Sequence, residues 1–351
     1  MHGQPEHRYT VTDMHTAGEP VRIFTGGVPS LRGGSLLEKR RDAMAHHDHV
    51  RRRLMLEPRG HADMYGVWPT EAHHPEAALA VLFTHNAGYS TMCGHATIAL
   101  GRWVVDQGLV PATTPVTRFL LECPCGAVAV SVTVDERGNT GEARFESVPA
   151  FAAGLDCSLD VPGYGRVTVD VGYGGAFYAI LPASALGLDL RDTRYETLVD
   201  AGRRITHAGR EQLTVRHPDE GDLGFLYGTI LTDDVAPDSR QPTYNLCIFG
   251  GGQVDRSPTG SGVTARMTVD QARGLVEPGA TRRFRGLSGG EFMGELISVE
   301  NAQVTVGVTG RAHYCGEATL VVEAGDELSE GLSIPETLSD LWGRAEADAE
   351  V

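Results

Sequence analysis

The chain contains an internal duplication with an almost constant offset, and this repeat limits the folds available to it. Four pairs of segments match: CG at 93–94 with TG at 259–260, VLF at 81–83 with CIF at 247–249, QGLV at 107–110 with RGLV at 273–276, all 166 residues apart, and TRF at 117–119 with RRF at 282–284, 165 residues apart. A length of 351 residues exceeds what one hydrophobic core usually serves. The sequence therefore predicts two similar halves.

Each copy of the repeat is typical of a strand, a polar loop and a helix. An apolar strand ends near Phe83 or Phe249, and a helix begins beside the CG or TG pair. Small and apolar residues recur at helical spacing in the first copy, at Ala96, Ala99, Leu100 and Trp103. Gly108 and Gly274 stand where a C-terminal cap would end each helix. The pattern predicts a mixed α/β fold.

The two helix starts combine functional side chains with free backbone N–H groups. The first N–H groups of a helix have no partner within it, and together with the helix dipole they attract carboxylates. Cys93 stands at the first start and Thr259 at the second. If the two starts face one another, they form a cleft that holds a carboxylate and flanks its α-carbon from both sides. We therefore expect an active site between the halves.

Composition narrows the classes of function. A hydrophobic content of 41% and a charged content of 22% are those of a globular protein, and neither a membrane span nor an N-terminal signal core is evident. We expect a cytoplasmic protein with no membrane partner. The formal charge of −16 argues against nucleic acid as a partner. One basic run, at residues 39–41 and 51–53, is interpreted as the solvated face of a helix that starts at Ser35 and extends to about Leu56.

Few cofactors suit this sequence. Lys39 is the only lysine, and pyridoxal phosphate enzymes hold their cofactor on a lysine. Six cysteines are too sparse for a disulfide scaffold, and no set of ligands has the spacing of a metal site. We therefore predict an enzyme that needs neither metal nor cofactor.

Five segments resemble the proline racemase family, whose fold is that of diaminopimelate epimerase. They are DMHTAGEP at 13–20, GHADM at 60–64, MCGHAT at 92–97, DVGYGG at 170–175 and DRSPTGSG at 255–262. The resemblance implies two pseudo-symmetric α/β domains, each a curved sheet around a central helix, with the active site in the cleft. The expected domains are residues 1–150, with about 330–351 as an optional completion, and residues 151–329.

The resemblance also implies roles for single residues. Cys93 takes the position of the family's first catalytic cysteine. Backbone N–H groups of four residues would bind the substrate carboxylate: Gly94, His95, Gly260 and Ser261. Asp255 would receive the substrate nitrogen, although it is also suited to capping the loop before the helix. Phe249 would form a wall for the ring.

The sequence departs from the racemase pattern at the second helix start, where Thr259 replaces the other cysteine. Racemisation needs an acid–base group on each face of the α-carbon, and a threonine hydroxyl has no usable ionisation near neutral pH. Removal of the α-proton by Cys93 remains productive if a hydroxyl on the next ring carbon leaves as water. The resemblance thus implies dehydration of trans-3-hydroxy-L-proline to Δ1-pyrroline-2-carboxylate, with Thr259 as the second catalytic group.

Two alternatives stay open at this point. One is a 4-hydroxyproline 2-epimerase or proline racemase that tolerates Thr259. The other is an amino-acid-binding protein without catalysis, although binding alone has no need of a thiol at Cys93. The sequence leaves open which group protonates the departing hydroxyl. It also leaves open the oligomeric state, for which a homodimer is the assembly considered.

Overall fold

The computed structural model describes residues 5–332, which form a mixed α/β fold, as predicted. Within these residues the β-strands are β1 Pro5–Thr16, β2 Glu19–Gly26, β3 Tyr65–Thr70, β4 Ala77–His85, β5 Gly88–Ser90, β6 Val116–Cys123, β7 Gly126–Val134, β8 Thr140–Glu146, β9 Phe151–Val161, β10 Gly165–Tyr173, β11 Phe177–Pro182, β12 Leu226–Thr232, β13 Thr243–Phe249, β14 Gln253–Val254, β15 Thr281–Arg285, β16 Glu291–Glu300, β17 Gln303–Gly310 and β18 Ala312–Glu323. The α-helices are α1 Leu36–His46, α2 Asp48–Met55, α3 Gly94–Asp106, α4 Tyr195–Gln212 and α5 Gly260–Ala272. The completion of the first domain expected from about residue 330 onward concerns mainly residues 333–351, which lie outside the described part.

The duplication appears in the structure as two copies of one topological unit. In the first copy, β4 forms an antiparallel hairpin with β5, α3 follows, and β6 returns parallel to β4. In the second, β13 forms a hairpin with β14, α5 follows, and β15 returns parallel to β13. Helices α3 and α5 each have 13 residues. The repeat seen in the sequence is therefore a repeat of strand, hairpin, helix and strand.

Helices α3 and α5 are the centres of the two halves. The strands packed around α3 include β1, β7 and β8, and those around α5 include β9, β10 and β16. Nearly every residue of α3 and all residues of α5 up to Asp270 are buried. A helix that is buried on all sides needs small or apolar residues around its whole circumference, which explains the alanines and glycines in both segments. The expected curved sheet around a central helix is confirmed.

Both helices end as predicted. Gly108 has a φ of 68° and Gly274 a φ of 69°, the left-handed conformation that closes the last turn of a helix. Gln107 and Arg273 precede them as the C-terminal caps. The last described strand, β18, pairs antiparallel with β1 from Thr16 to Pro5.

The interpretation of the basic run as a solvated helix face is wrong. The segment forms two helices, α1 and α2, and Ser35 caps the first by accepting a hydrogen bond from the Glu38 N–H at 3.2 Å. Four of its basic side chains are buried: Lys39, Arg40, Arg51 and Arg53. Lys39 donates to the Glu71 carbonyl at 2.9 Å, and Arg51 pairs with Asp48 at 2.7 Å. Long basic side chains can cover apolar strands when their donors find carbonyl or carboxylate partners, and helical spacing alone does not show this.

No helix among residues 5–332 combines the length and the apolar character needed to cross a membrane.

Candidate active site

The two helix starts meet in the middle of the molecule, as the repeat predicted. Gly94 and Gly260 are in direct backbone contact: a Cβ added to Gly94 would lie 2.4 Å from the Gly260 Cα, and one added to Gly260 would lie 2.6 Å from the Gly94 Cα. Only glycine permits this approach. The residues before them, Cys93 and Thr259, are the N-caps of α3 and α5. The positive ends of two helix dipoles therefore converge on one point.

Cys93 is a buried thiol held at the start of α3. Its Sγ accepts a hydrogen bond from the Ala96 N–H at 3.4 Å and lies 3.1 Å from His95 Nδ1. Burial raises the pKa of this thiol well above its usual value, and the nearby carboxyls of Asp255 and Glu19 raise it further, against the lowering effects of the Ala96 N–H and the Tyr65 side chain. Desolvation therefore outweighs the hydrogen bond that the helix start supplies.

Thr259 occupies the matching position in a strained conformation. Its φ of 61° and ψ of 93° are unusual for a β-branched residue, and such backbone strain costs about 1–3 kcal/mol. Its Oγ1 is buried and has no hydrogen-bond partner within residues 5–332. Thr259 is therefore the N-cap by position, but its side chain does not cap the helix. The hydroxyl remains available to a ligand.

Asp255 both caps a loop and faces the thiol side of the site. Its Oδ1 accepts a hydrogen bond from the Ser257 N–H at 2.7 Å, and its Oδ2 lies 3.8 Å from His95 Nδ1. Burial lowers the pKa of His95, although Asp255 opposes that shift, so the imidazole is neutral at physiological pH. Oδ2 thus retains its capacity to accept a hydrogen bond from a cationic ligand.

A narrow cavity of about 10 Å³ lies between the helix starts. This is far below the ~300–1,000 Å³ common for ligand pockets, so the surrounding walls must move to admit even a small ligand. All eight residues singled out in the sequence line it: Cys93, Gly94, His95, Phe249, Asp255, Thr259, Gly260 and Ser261. Four more complete the wall, namely Tyr65, Met92, Tyr178 and Tyr227.

The three tyrosines could not be found from sequence spacing. They belong to β3, β11 and β12, which are far from the two helix starts along the chain. The Tyr178 hydroxyl lies 2.7 Å from Ser261 Oγ, so this pair is already hydrogen-bonded. Tyr65 stands edge-on to His95, with ring centroids 4.7 Å apart. Tyr227 stacks on Phe249 at 5.4 Å.

The N-terminal segment at 13–20, which carried the family resemblance without an assigned role, supports both helix starts. Thr16 Oγ1 donates a hydrogen bond to the His95 carbonyl at 2.8 Å. Glu19 Oε2 accepts one from the Arg256 N–H at 2.7 Å. Burial raises the pKa of Glu19 well above its usual value, and the Asp255 carboxyl adds to this shift. Glu19 is thus a buried support with a strong preference for its neutral form.

The tips of the two repeated hairpins are joined beside the cavity. Gln253 Nε2 donates to Asn86 Oδ1 at 2.9 Å, and Gln253 Oε1 lies 3.0 Å from His85 Nδ1. The His85 ring also contacts Phe249 and Tyr227, both of which line the cavity. These bonds connect one half of the molecule to the other. Asn86 and Gln253 also border a separate, more open cavity of about 270 Å³.

The arrangement is suited to acid–base chemistry on a small carboxylate. Two helix N-termini, a thiol, a hydroxyl and a carboxylate surround the same space. Within residues 5–332, no group of three or more His, Cys, Asp or Glu side chains is placed to hold a metal ion.

Comparison with known proteins identifies the family of this chain. The model of the proline racemase family matches residues 11–333. The chain belongs to this family. A protein from Homo sapiens named trans-3-hydroxy-L-proline dehydratase is 48% identical over 330 residues, which cover 92% of this chain and 93% of the relative. A protein from Burkholderia multivorans named 3-hydroxyproline 2-epimerase is 38% identical, covering 93% of this chain and 98% of the relative.

A solved structure supports the fold. The hydroxyproline epimerase from Agrobacterium vitis, crystallised with bound trans-4-hydroxy-L-proline, superposes with a TM-score of 0.88. The match covers 95% of this chain and 96% of that one, with 24% sequence identity. The diaminopimelate epimerase-like fold expected from the sequence is confirmed by such neighbours.

Proposed function

We propose that this chain is a trans-3-hydroxy-L-proline dehydratase, a hydro-lyase that forms Δ1-pyrroline-2-carboxylate. The observation that carries the proposal is the pair of helix starts that face one cavity, with the thiol of Cys93 at one and the hydroxyl of Thr259 at the other. The Cys93 thiolate can accept a carbon-bound proton, whereas the Thr259 hydroxyl cannot act as an equivalent base. The family relatives that bear the dehydratase name match this chain over nearly its whole length.

Substrate binding follows from the charges at the cavity. The N–H groups at the two helix starts, on Gly94, His95, Gly260 and Ser261, would receive the carboxylate. Asp255 Oδ2 would accept a hydrogen bond from the cationic ring nitrogen, and the Phe249 ring would pack against the ring carbons. Donors aimed at the carboxylate also stabilise the negative charge that develops when the α-proton leaves.

Cys93 would remove the α-proton as the general base. Its pKa is raised by burial and by Asp255, among other groups. A cationic nitrogen beside Asp255 neutralises that carboxylate and removes one cause of the shift. The electrons released at Cα then expel the 3-hydroxyl, and the enamine that results tautomerises to the cyclic imine. This route needs no electron sink besides the leaving group.

The epimerase alternative remains the second candidate because of the Burkholderia multivorans relative. An epimerase must deliver a proton to the opposite face of Cα. Thr259 is the residue on that face, and its hydroxyl is a weak acid and a weaker base near neutral pH. The dehydratase is therefore the better-supported function.

The proposal also includes the domain boundaries, the cellular location and the partners. The two halves are taken as residues 1–150 and 151–329, with the site between them. We place the enzyme in the cytoplasm, where free thiols such as Cys93 stay reduced. Its partner is the amino-acid substrate, nucleic acid is not expected to bind at a net charge of −16, and a homodimer is the assembly to examine.

An assay with isomers of hydroxyproline tests the assignment. Purified enzyme is incubated in deuterium oxide with trans-3-, cis-3- and trans-4-hydroxy-L-proline, while imine formation and deuterium at Cα are followed. Imine from the trans-3 isomer is the expected result. Inversion of Cα in the 4-hydroxy isomer would assign an epimerase, and binding without either change would assign a binding protein.

A further inference from the structure

One tyrosine hydroxyl of the cavity wall is buried beside the thiol of Cys93. Tyr65 is 2% exposed, and within residues 5–332 its hydroxyl has no hydrogen bond of good geometry, although the side chains of Ser90 and Cys93 are close enough to interact with it. A buried hydroxyl left in this state costs free energy, typically about 1–3 kcal/mol, unless a ligand satisfies it. Tyr178, by contrast, already shares a hydrogen bond with Ser261. Of the three wall tyrosines, Tyr65 is therefore the one whose fully buried hydroxyl lacks a hydrogen bond of good geometry.

Tyr65 lies on the Cys93 side of the cavity. Its ring stands edge-on to His95, and His95 Nδ1 is 3.1 Å from Cys93 Sγ. Burial raises the pKa of Tyr65 well above its usual value, and the neighbouring Cys93 raises it further. The hydroxyl thus keeps its proton and can act as a donor throughout the physiological pH range.

The stereochemistry of the substrate decides from which side the leaving group must be assisted. In trans-3-hydroxy-L-proline the hydroxyl and the carboxylate are on opposite faces of the ring. The α-hydrogen is also opposite the carboxylate, so the 3-hydroxyl and the α-hydrogen share a face. The group that protonates the leaving oxygen must therefore approach from the face on which Cys93 takes the α-proton.

The geometry points to Tyr65 as the proton donor to the departing 3-hydroxyl, a role that rests on the proposed dehydratase function. Thr259 lies at the opposite helix start, and hence on the other face of the ring. Its hydroxyl is placed to contact the substrate but not the leaving oxygen. Tyr65 is thus the group that protonates the departing hydroxyl, which the sequence alone did not identify.

The proposed elimination accounts for every proton and electron pair. The Cys93 thiolate takes the α-proton, the C2–C3 double bond forms, and the C3–O bond breaks with its electron pair on oxygen. Tyr65 gives its phenolic proton to that oxygen, which departs as water. The tyrosinate recovers a proton from the Cys93 thiol, which restores both side chains. No oxidant, reductant or further reactant is required.

The test replaces Tyr65 with phenylalanine and follows two reactions of the same enzyme. With trans-3-hydroxy-L-proline, Tyr65→Phe should lower imine formation by at least ~10²-fold, the usual contribution of a general acid. Exchange of the α-hydrogen of proline with deuterium oxide should fall far less than dehydration, because that reaction needs the Cys93 thiolate, which Tyr65 only helps to stabilise, and no leaving group. With trans-3-fluoro-L-proline, whose fluoride departs without a proton, the variant should lose far less activity.

The matched control is Tyr173→Phe. The Tyr173 hydroxyl is likewise buried without a partner, but its ring stacks on Phe151 at 5.0 Å, and it does not line the cavity. This control should dehydrate the substrate at the wild-type rate. Melting temperatures of both variants show whether the fold is retained.

The outcomes separate the two proposals. Equal rates of imine formation by wild type and Tyr65→Phe would overturn the role of Tyr65 alone. Loss of α-hydrogen exchange together with dehydration would also overturn it, since Tyr65 would then serve the thiol rather than the leaving group. Equal dehydration of the cis-3 isomer, whose hydroxyl is on the other face, would contradict the stereochemical argument. Failure of the wild type to form imine at all would overturn the dehydratase assignment together with this role.

Discussion

The α-carbons of Gly94 and Gly260 approach so closely that a methyl group on either residue would overlap the backbone of the other. This contact fixes the separation of the two helix starts, and with it the distance across which Cys93 and Thr259 flank a ligand.

Replacement of Gly94 by alanine should therefore separate the helix starts. The added Cβ would lie 2.4 Å from the Gly260 Cα, so the backbone must move. We expect a loss of about 1–3 kcal/mol in stability from overpacking, and a fall in kcat/KM on the order of 10²-fold, as a misplacement of about 1 Å can produce. Gly316→Ala, on the exposed part of β18 with no atom within 4 Å of the new Cβ, is the control. Wild-type melting temperature and activity in Gly94→Ala would contradict this contact.

The raised pKa of Cys93 predicts a rate that increases with pH. Burial stabilises the thiol form, and the base is the thiolate, so kcat/KM should increase from neutral into alkaline pH. Cys93→Ser should reduce kcat by about 10²–10⁴-fold and abolish this rise. Cys123→Ala removes an equally buried thiol that does not line the cavity, and should keep the wild-type profile. A pH profile that falls through the same range in the wild type would remove Cys93 from the role of base.

Thr259→Cys should give the enzyme a second acid–base group. Proline and 4-hydroxyproline have no 3-hydroxyl to expel, so their carbanion must be reprotonated. In the wild type the proton returns to the Cys93 face, and deuterium enters without inversion. In the variant the new thiol at the start of α5 can deliver a proton to the other face, so chiral chromatography should show slow inversion. Rapid inversion by the wild type would assign the epimerase function instead.

Glu19→Gln should change how stability depends on pH. The pKa of Glu19 is raised by burial and by Asp255, so the folded protein holds this proton more tightly than the unfolded chain. Its stabilising contribution is present at low pH and is lost as pH rises through the folded-state pKa. Glutamine keeps the acceptor for the Arg256 N–H and cannot ionise. Urea unfolding at several pH values should show a flatter dependence in the variant, with stability at neutral pH no lower than wild type. A loss of stability in the variant that grows as pH rises would mean instead that Glu19 is ionised and paired with Arg256.

Much of this architecture could be predicted because it repeats in the chain. A constant offset placed Cys93 opposite Thr259, and the glycines beside them indicated close helix starts. The caps at Gly108 and Gly274 follow from local backbone preferences, which a sequence records directly.

The rest depends on contacts between distant segments. Tyr65 reaches the cavity because β3 pairs with β4, and the sequence around it carries no chemical signature. The burial of Lys39 and Arg51 depends on the carbonyl groups of Glu71 and His85, which lie 32 and 34 residues further along the chain. The raised pKa of Cys93 also depends on distant segments, since desolvation by the whole core outweighs the local effect of the helix start.

The hydrogen bonds of Gln253 with His85 and Asn86 have a kinetic consequence. Cys93 is 4% exposed and Thr259 5%, so a substrate reaches them only when part of the surrounding wall moves. The joined hairpin tips support one part of that wall, because the His85 ring contacts Phe249 and Tyr227 in the cavity lining. Any motion that parts the hairpin tips must break both of these hydrogen bonds of Gln253, so its rate has an upper limit set by the lifetime of the two bonds.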